Sequence, residues 1–423
     1  MSASPEAQLA VFGWNFRSAV ERVRQRVALT PEEVREGLHR LVGEGLLSEG
    51  VIVSTCHRCE FYAVVDAPEA AEKIARSVSQ WRGLSPAEAA QGLFQREGPE
   101  VVRHLFRVAA GLDSMALGES EILGQVRQAL TIAREAGASR AVLHRLFEWA
   151  VAAGKRVRHE TEIAVHPLSI PSIGFELATK VFGDLADRTT LVLGAGETGA
   201  LFARHAVESG VRNLLLANRT AARAQELAAR VGATPVPWDS FGDELHEADV
   251  VVGATSSPRP VISREQVESA MRLRRGRPML FLDLAVPADI DPSVREIYNV
   301  FAYTVNDLEE VAKENRGRRA REIPAAERIV EEELSKFQVW YGNLALVPTL
   351  TRLRRRFDTA RDAELSRIPE ADRERFRAFA DSLSSRLLRD PVKRMKAEEN
   401  PARKLERAEA VAFLFDLDGP DEE

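Results

Sequence analysis

Two short stretches of this chain carry residue types at spacings that do chemistry. The first is Ser54-Thr55-Cys56-His57-Arg58-Cys59-Glu60. Cysteine attacks as its thiolate, and neighbouring cations favour that form; Arg58, His57 and, from further along the chain, His104 are the candidates. The second is Leu191-Val192-Leu193-Gly194-Ala195-Gly196-Glu197-Thr198-Gly199, an apolar run leading into Gly-x-Gly-x-x-Gly. In such a loop Gly194 permits the tight turn, Gly196 lets the main chain approach a pyrophosphate, and Gly199 lets helix and strand close up. The free N–H groups and positive dipole end of the following helix complete an anion site. A second apolar run ends in Ala217-Asn218-Arg219-Thr220, with Arg223 one turn later. An NAD site would place an acid there for the ribose diol. Asn218, Arg219, Thr220 and Arg223 instead suit a 2′-phosphate and favour NADPH, the alternative being that both arginines are surface charges. A thiol nucleophile with a nicotinamide cofactor implies attack on an acyl carbon, a thioester, and hydride reduction to an aldehyde.

Cys56 and Cys59 also have the spacing of a redox pair, and Cys-His-x-Cys supplies three potential zinc ligands. A structural zinc site needs a fourth ligand and none is evident nearby, so no metal is expected. These are the chain's only two cysteines. A disulfide scaffold is therefore not expected, and a reducing cytoplasm is the natural setting.

The elements that must hold these groups differ along the chain. Residues 1–165 mix strand and helix signals, an α+β pattern. LAVFGW reads as a strand, and Thr30-Pro31 reads as a helix N-cap and first turn. VIVSTC and FYAVV are strand-like runs that leave Cys56 at a strand end or loop. A helical stretch from Pro99 to Ala136 is interrupted near Gly111 and Gly118. A second helix, about 140–161, is expected to carry the chain out of this domain. Residues 166–310 alternate apolar β-rich runs with helical ones, the signature of a Rossmann-type parallel sheet covered on both faces. Ala254-Thr255-Ser256-Ser257-Pro258 and Leu282-Asp283-Leu284-Ala285-Val286-Pro287 end two of its strands, where such sheets bind ligands. Residues 311–423 read as all helix, a linker followed by a packing or dimerisation element, with Leu344, Leu346, Leu350 and Leu353 as an apolar stripe. The terminal DLDGPDEE reads as a frayed acidic tail.

At 423 residues the chain has room for two or three domains, and 45% hydrophobic with 29% charged residues is the balance of a globular protein. No apolar run reaches the roughly 18 residues of a membrane span, and the N-terminus lacks a secretory pattern. A net charge of −6 argues against nonspecific coating of nucleic acid. The arginine runs Arg316, Arg318, Arg319, Arg321 and Arg352, Arg354, Arg355, Arg356 read first as solvated helix faces, with a nucleic-acid contact as the alternative.

Taken together the motifs resemble those of the glutamyl-tRNA reductase family, in family order and over most of the chain. The nucleophile motif of that family, S-T-C-N-R-x-E, stands here as STCHRCE. Its long helical motif stands as HLFRVAAGLDSMALGESEILGQV, from His104 to Val126, and GAGETG, NRT, ATSSP and LDLAVPADID follow. The resemblance implies a catalytic domain, a nucleotide domain and a helical dimerisation domain joined by a long helix, assembled as a homodimer. It implies reduction of glutamyl-tRNA(Glu) by NADPH to glutamate-1-semialdehyde, the entry to tetrapyrrole synthesis, and a transient complex with the semialdehyde aminomutase. Cys56 would form the thioester and His104 would matter for activity. Thr55, Cys56, His57 and Arg58 would line the glutamyl pocket, with Arg58 gripping the carboxylate in a bidentate fork. Ser114, Glu119, Ser120, Glu121 and Gln125 would also contact substrate. The helix-bound alternative for His104 is a hydrogen-bonded structural histidine. The chain departs from the family at His57 (usually Asn), Glu121 (usually Gln), Phe16 (usually His) and Ala288 (usually Arg). A shikimate-dehydrogenase-like reductase without a covalent step, and a non-catalytic nucleotide-binding member, are the competing readings.

Overall fold

Four strands, β1 (Gln8–Asn15), β2 (Glu49–Ser54), β3 (Arg58–Val65) and β4 (Phe94–Glu97), form an antiparallel sheet in the order β2-β3-β1-β4. In the computed structural model, which describes residues 8–65, 70–119, 121–398 and 400–417, β3 is buried along its whole length. A strand buried at consecutive positions must be covered on both faces, and here helices do the covering. One is Pro31–Gly43, where Thr30 caps the Glu33 N–H and the Glu33 carboxylate returns to the Thr30 N–H.

Helix Ala141–Glu160 brings the chain to the end of this domain, which it leaves after Thr161, but the helix itself packs inside the domain. Its first turn is held by Glu49 of β2, whose carboxylate accepts main-chain N–H groups from Arg140, Val142 and Leu143 at 3.2, 3.0 and 2.7 Å. Leu143, Leu146, Phe147, Ala150 and Val157 are fully buried along it. The reason is tertiary: orphan N–H groups at a helix start need acceptors, and a strand residue supplies them.

Six parallel strands make the second sheet: β5 (Thr189–Leu193), β6 (Asn213–Ala217), β7 (Thr234–Val236), β8 (Val250–Gly253), β9 (Met279–Asp283) and β10 (Val300–Thr304), in the order β10-β9-β8-β5-β6-β7. This is the Rossmann-type sheet expected. The chain leaves β5 toward β6 and β7, then returns to build β8 on the other side, so the order reverses between β5 and β8. Two apolar cores flank the sheet.

The chain forms two compact units, residues 162–322 and the remainder. The boundary expected at 310/311 falls inside one 40-residue helix, Val305–Leu344. Its early residues Leu308 and Ala312 join the core of the parallel-sheet unit. Its later part lies in the N-terminal unit, with Phe337 edge-on to Phe106 and Trp149, and Arg103 and Arg156 paired to Glu331 and Glu333. Arg319 is not on a solvated face. It is buried and donates to the main-chain oxygen of His166 at 2.6 Å, while Arg316, Arg318 and Arg321 are exposed. Helices Val347–Ser366, Glu370–Ala397 and Pro401–Leu414 complete the chain. Leu346 and Leu353 of the expected stripe are buried there, Leu350 packs beside them, and Leu344 ends the preceding helix. Of the tail DLDGPDEE, residues 418–423 lie outside the described residues. No helix among the described residues is long and apolar enough to cross a membrane.

Candidate active site

β2 and β3 are joined by a tight hairpin. The Thr55 N–H donates to the Arg58 carbonyl at 2.8 Å, and the His57 N–H donates to the Thr55 hydroxyl at 3.2 Å. Cys56 stands exposed at the tip, whereas Cys59, three residues on and paired with Ser54 across the strands, is buried. Burial pushes the Cys59 thiol up to about 12, so this sulfur stays neutral and inert. One exposed and one neutral buried thiol do not make a redox pair in this state. No group of three or more metal-ligating side chains occurs among the described residues.

Behind the tip lies a buried ionic cluster. Glu60 is fully buried, and its carboxylate accepts from Arg58 Nη1 at 3.0 Å, Tyr62 Oη at 2.8 Å and Asn15 Nδ2 at 3.3 Å, with His104 Nε2 at 3.0 Å. Burial alone would raise this carboxyl. The Arg58 charge and the His104 contact outweigh it and hold Glu60 well below the usual carboxylate range. Arg58, 2% exposed, also donates Nη2 to the main-chain oxygen of Asp113 and lies 3.7 Å from the Asp113 carboxylate. Burial opposes the Arg58 charge, but Glu60, Tyr62 and Asp113 more than compensate and raise its affinity for the proton. Arg17, from the turn after β1, closes the cluster on Asp113 at 2.7 Å.

This geometry changes two expectations. The Arg58 fork meant for a substrate carboxylate is taken up by Glu60 and Asp113. His104 is 3% exposed and bonded to Glu60, which is the structural alternative for that residue. Both residues become parts of the frame beneath Cys56. Glu60, Asp113, Tyr62 and Asn15 had no assigned role in the sequence. Glu60 and Asp113 lay inside the quoted motifs, whereas nothing local marked Asn15, which reaches Glu60 only because β1 and β3 are neighbours.

Three shielded polar atoms here have no hydrogen-bond partner among the described residues: Ser114 Oγ, His57 Nδ1 and Arg158 Nε. Buried polar groups are normally satisfied, so orphans mark places where another molecule's polar atoms fit. Gly111 and Gly118, both at positive φ, pinch the loop that carries Ser114, and the Gly118 N–H donates to the Gly111 carbonyl at 2.9 Å. Arg158, absent from the sequence reading, holds the same loop by donating Nη2 to the Glu119 carbonyl at 2.5 Å. Glu121 is exposed and Gln125 half-buried on helix Glu121–Glu135. Ser120 lies outside the described residues.

At the C-terminal edge of the parallel sheet the three glycines divide their work. A Cβ on Gly194 (φ +106°) would fall 2.3 Å from the Ala254 carbonyl oxygen, and one on Gly199 would fall 2.1 Å from that of Gly194. A Cβ on Gly196, the N-cap of helix Glu197–Glu208, would meet nothing within 4 Å. Two glycines are thus needed by the fold, and the third faces open space where main chain can meet a ligand. Gly196, Glu197 and Thr198 are exposed and Ala195 half-buried. Asn218 braces this loop: its Oδ1 accepts the Ala195 N–H at 3.1 Å and its Nδ2 donates to the Thr220 carbonyl at 3.0 Å. Arg219, Thr220 and Arg223 are exposed, and neither arginine has an ion-pair partner among the described residues. The cradle fits a dinucleotide phosphate, and the arginines fit an added 2′-phosphate.

Comparison with known proteins agrees with this layout. Residues 12–161 match the model of the glutamyl-tRNA(Glu) reductase N-terminal domain, residues 176–311 that of shikimate / quinate 5-dehydrogenase, and residues 325–417 that of the glutamyl-tRNA(Glu) reductase dimerisation domain. The chain is 37% identical over 424 residues to glutamyl-tRNA reductase of Geotalea daltonii, covering 98% of both chains. It is 38% identical to that of Pelobacter propionicus, covering 97% of this chain and 96% of the other. The solved glutamyl-tRNA reductase from Methanopyrus kandleri superposes with a TM-score of 0.76 at 34% identity, covering 97% of this chain and 99% of that one. With full-length identity at this level and both flanking domain models matched in order around a nucleotide-binding domain, the chain belongs to the glutamyl-tRNA reductase family.

Proposed function

We propose that this chain reduces glutamyl-tRNA(Glu) to glutamate-1-semialdehyde with NADPH, the first step of tetrapyrrole synthesis. The observation that carries the reading is the exposed Cys56 thiol on a hairpin tip backed by a satisfied ionic cluster, together with Ser114 Oγ and His57 Nδ1, shielded atoms with no partner among the described residues. The Cys56 thiolate attacks the ester carbon joining glutamate to the tRNA ribose. An S–C bond forms, the ester C–O bond breaks, and the ribose hydroxyl leaves with a proton. NADPH held at the glycine loop would supply a hydride to the thioester carbon, with the C–S bond breaking to give the aldehyde, the freed Cys56 thiolate and NADP+.

The chain's own residues hold and orient. Glu60 fixes Arg58 and His104, and through them the base of the hairpin and the Asp113–Ser114 turn. Ser114 Oγ and His57 Nδ1 receive the polar atoms of the glutamyl group, with Thr55 setting the hairpin turn. Glu119, Glu121 and Gln125 border the same entrance; Ser120 is assigned to it by sequence alone. Gly196 to Thr198 present main-chain N–H groups to the cofactor phosphates, and Arg219 and Arg223 meet the 2′-phosphate. A stripe of exposed Phe376, Phe379, Leu383 and Leu387 on helix Glu370–Ala397 supports a homodimer through the helical domain. The aldehyde product is reactive in water, which supports direct transfer to the semialdehyde aminomutase.

The test is intact-protein mass spectrometry after mixing the full chain with glutamyl-tRNA(Glu) without NADPH. A glutamyl adduct mapped to Cys56 is the expected result. Acylation at another residue, or none, ends the reading. An enzyme of the shikimate-dehydrogenase type would form no adduct.

A further inference from the structure

We propose that Asp289 is a positioning residue for the cofactor: it sets the Ala254–Ser257 loop beside the glycine turn so that Ser256 meets the nicotinamide carboxamide. The inference rests on the NADPH reading above and assigns residues to the nicotinamide half of that site.

The loop follows β8, where the strand order reverses and an open parallel sheet forms its ligand crevice. Asp289 is fully buried at this edge. Its carboxylate accepts the Thr255 main-chain N–H at 2.7 Å and the Thr255 hydroxyl. Its own N–H donates to the Asp283 carboxylate at 3.2 Å, and its carbonyl accepts from Val261 and Ile262 at 2.7 and 3.1 Å. One residue therefore ties the end of β9 to the loop after β8. Burying a carboxylate is costly unless its bonds are made; both side-chain hydrogen bonds of this one go to Thr255, and the Arg219 charge also favours its ionised form.

The loop has little freedom left. Ala254 touches the glycine turn, since a Cβ on Gly194 would strike its carbonyl. The Thr255 hydroxyl accepts the Ser257 N–H at 3.0 Å, and the Ser257 hydroxyl donates to the Arg259 carbonyl at 2.7 Å. Ser256 is the exception: it is exposed, and neither its hydroxyl nor its N–H has a partner among the described residues. A primary carboxamide carries one acceptor oxygen and one donor nitrogen, which matches what Ser256 offers.

Fluorescence titration of the full chain with NADPH, and with 2′-phospho-ADP-ribose as a probe lacking nicotinamide, tests this. Ser256→Ala and Asp289→Ala should each weaken NADPH binding about fivefold, the worth of one ordinary hydrogen bond. The double variant should be no weaker than Asp289→Ala alone, because one residue acts through the other. The probe should bind Ser256→Ala and Thr255→Val as it binds the wild type, since both leave the Asp289 charge that interacts with Arg219 in place. Asp289→Asn can still accept the Thr255 N–H and donate to its hydroxyl, and should stay within about twofold of wild type. If Asp289→Ala does not fold, Thr255→Val takes its place with the same expectation. Additive effects, an equal loss for the probe in Ser256→Ala or Thr255→Val, or unchanged NADPH binding would overturn the proposal. A wild-type chain that binds the probe but not NADPH would also overturn it, whereas one that binds neither sinks the cofactor reading itself.

Discussion

The thiol site and the glycine loop are built by opposite means. Beneath Cys56 the protein fills space with charge: one buried carboxylate, Glu60, meets Arg58, Tyr62, Asn15 and His104, and Arg58 in turn reaches Asp113. At the cofactor loop it leaves atoms out, so that Gly196 opens onto space and Arg219 and Arg223 are exposed, neither in an ion pair among the described residues. A covalent nucleophile needs a fixed place, and a network of satisfied charges supplies stiffness. A diphosphate needs main chain to come close and free positive ends to meet it, which side chains would obstruct. Damage should therefore appear in different observables at the two sites.

The largest effect falls on the sulfur. Cys56→Ser should lower NADPH oxidation with glutamyl-tRNA by at least about 10³-fold, while the exposed position leaves the melting temperature unchanged. Retained turnover would break the contrast by removing the covalent step. Next is Glu60→Gln, which should cost about 3–5 kcal/mol in denaturant unfolding, because it leaves the buried Arg58 short of its counter-charge. The pH dependence gives its sign. The Glu60 carboxyl is held below its ordinary 4.5 in the folded chain. Its stabilisation is fully present above that value and is lost as pH falls from there toward the folded-state value. The stability gap between wild type and Glu60→Gln should thus hold steady above about pH 4.5 and narrow as pH falls below it; a gap constant with pH would mean that the charge is not what matters.

At the glycine loop, space and stability should separate. Gly199→Ala puts a methyl 2.1 Å from a carbonyl oxygen and should cost about 1–3 kcal/mol as well as cofactor binding. Gly196→Ala meets no protein atom and should weaken NADPH binding about tenfold or more with a much smaller loss of stability, measured by titration and thermal melting. Equal stability losses in the two variants would contradict the assignment of Gly196 to the ligand. The smallest effect is Arg219→Ala, expected to weaken NADPH about tenfold and leave NADH binding as it was. Equal losses for both nucleotides would return Arg219 to a general surface charge.

The glycine loop was legible in the sequence because its logic is local. A strand, three glycines at fixed offsets and a helix lie between Thr189 and Glu208, and the Thr30-Pro31-Glu33 cap is shorter still. The thiol site was legible only at Cys56. Arg58 was read toward the thiol and the substrate, although Glu60, two residues on along the same strand face, was a partner the sequence offered; only Asp113 is brought to it by the fold. Arg319 looked solvated because its acceptor is a main-chain carbonyl from residue 166. The span 305–344 has one helical periodicity throughout, and that periodicity does not reveal that early turns pack in one core and later turns in another.

By itself the sequence pointed to the atoms proposed to react and determined their local shapes: a thiol at a strand end, a glycine-rich turn with arginines after the next strand, and a helical C-terminal third. Only the tertiary structure decided which of the two thiols is exposed, that Arg58 and His104 brace the site through Glu60, and that Asp289 reaches across two loops to Thr255. The physical reason is range. Turns, caps and strand–helix alternation come from interactions within a few residues, whereas burial and charge pairing depend on which distant segments the sheets bring side by side.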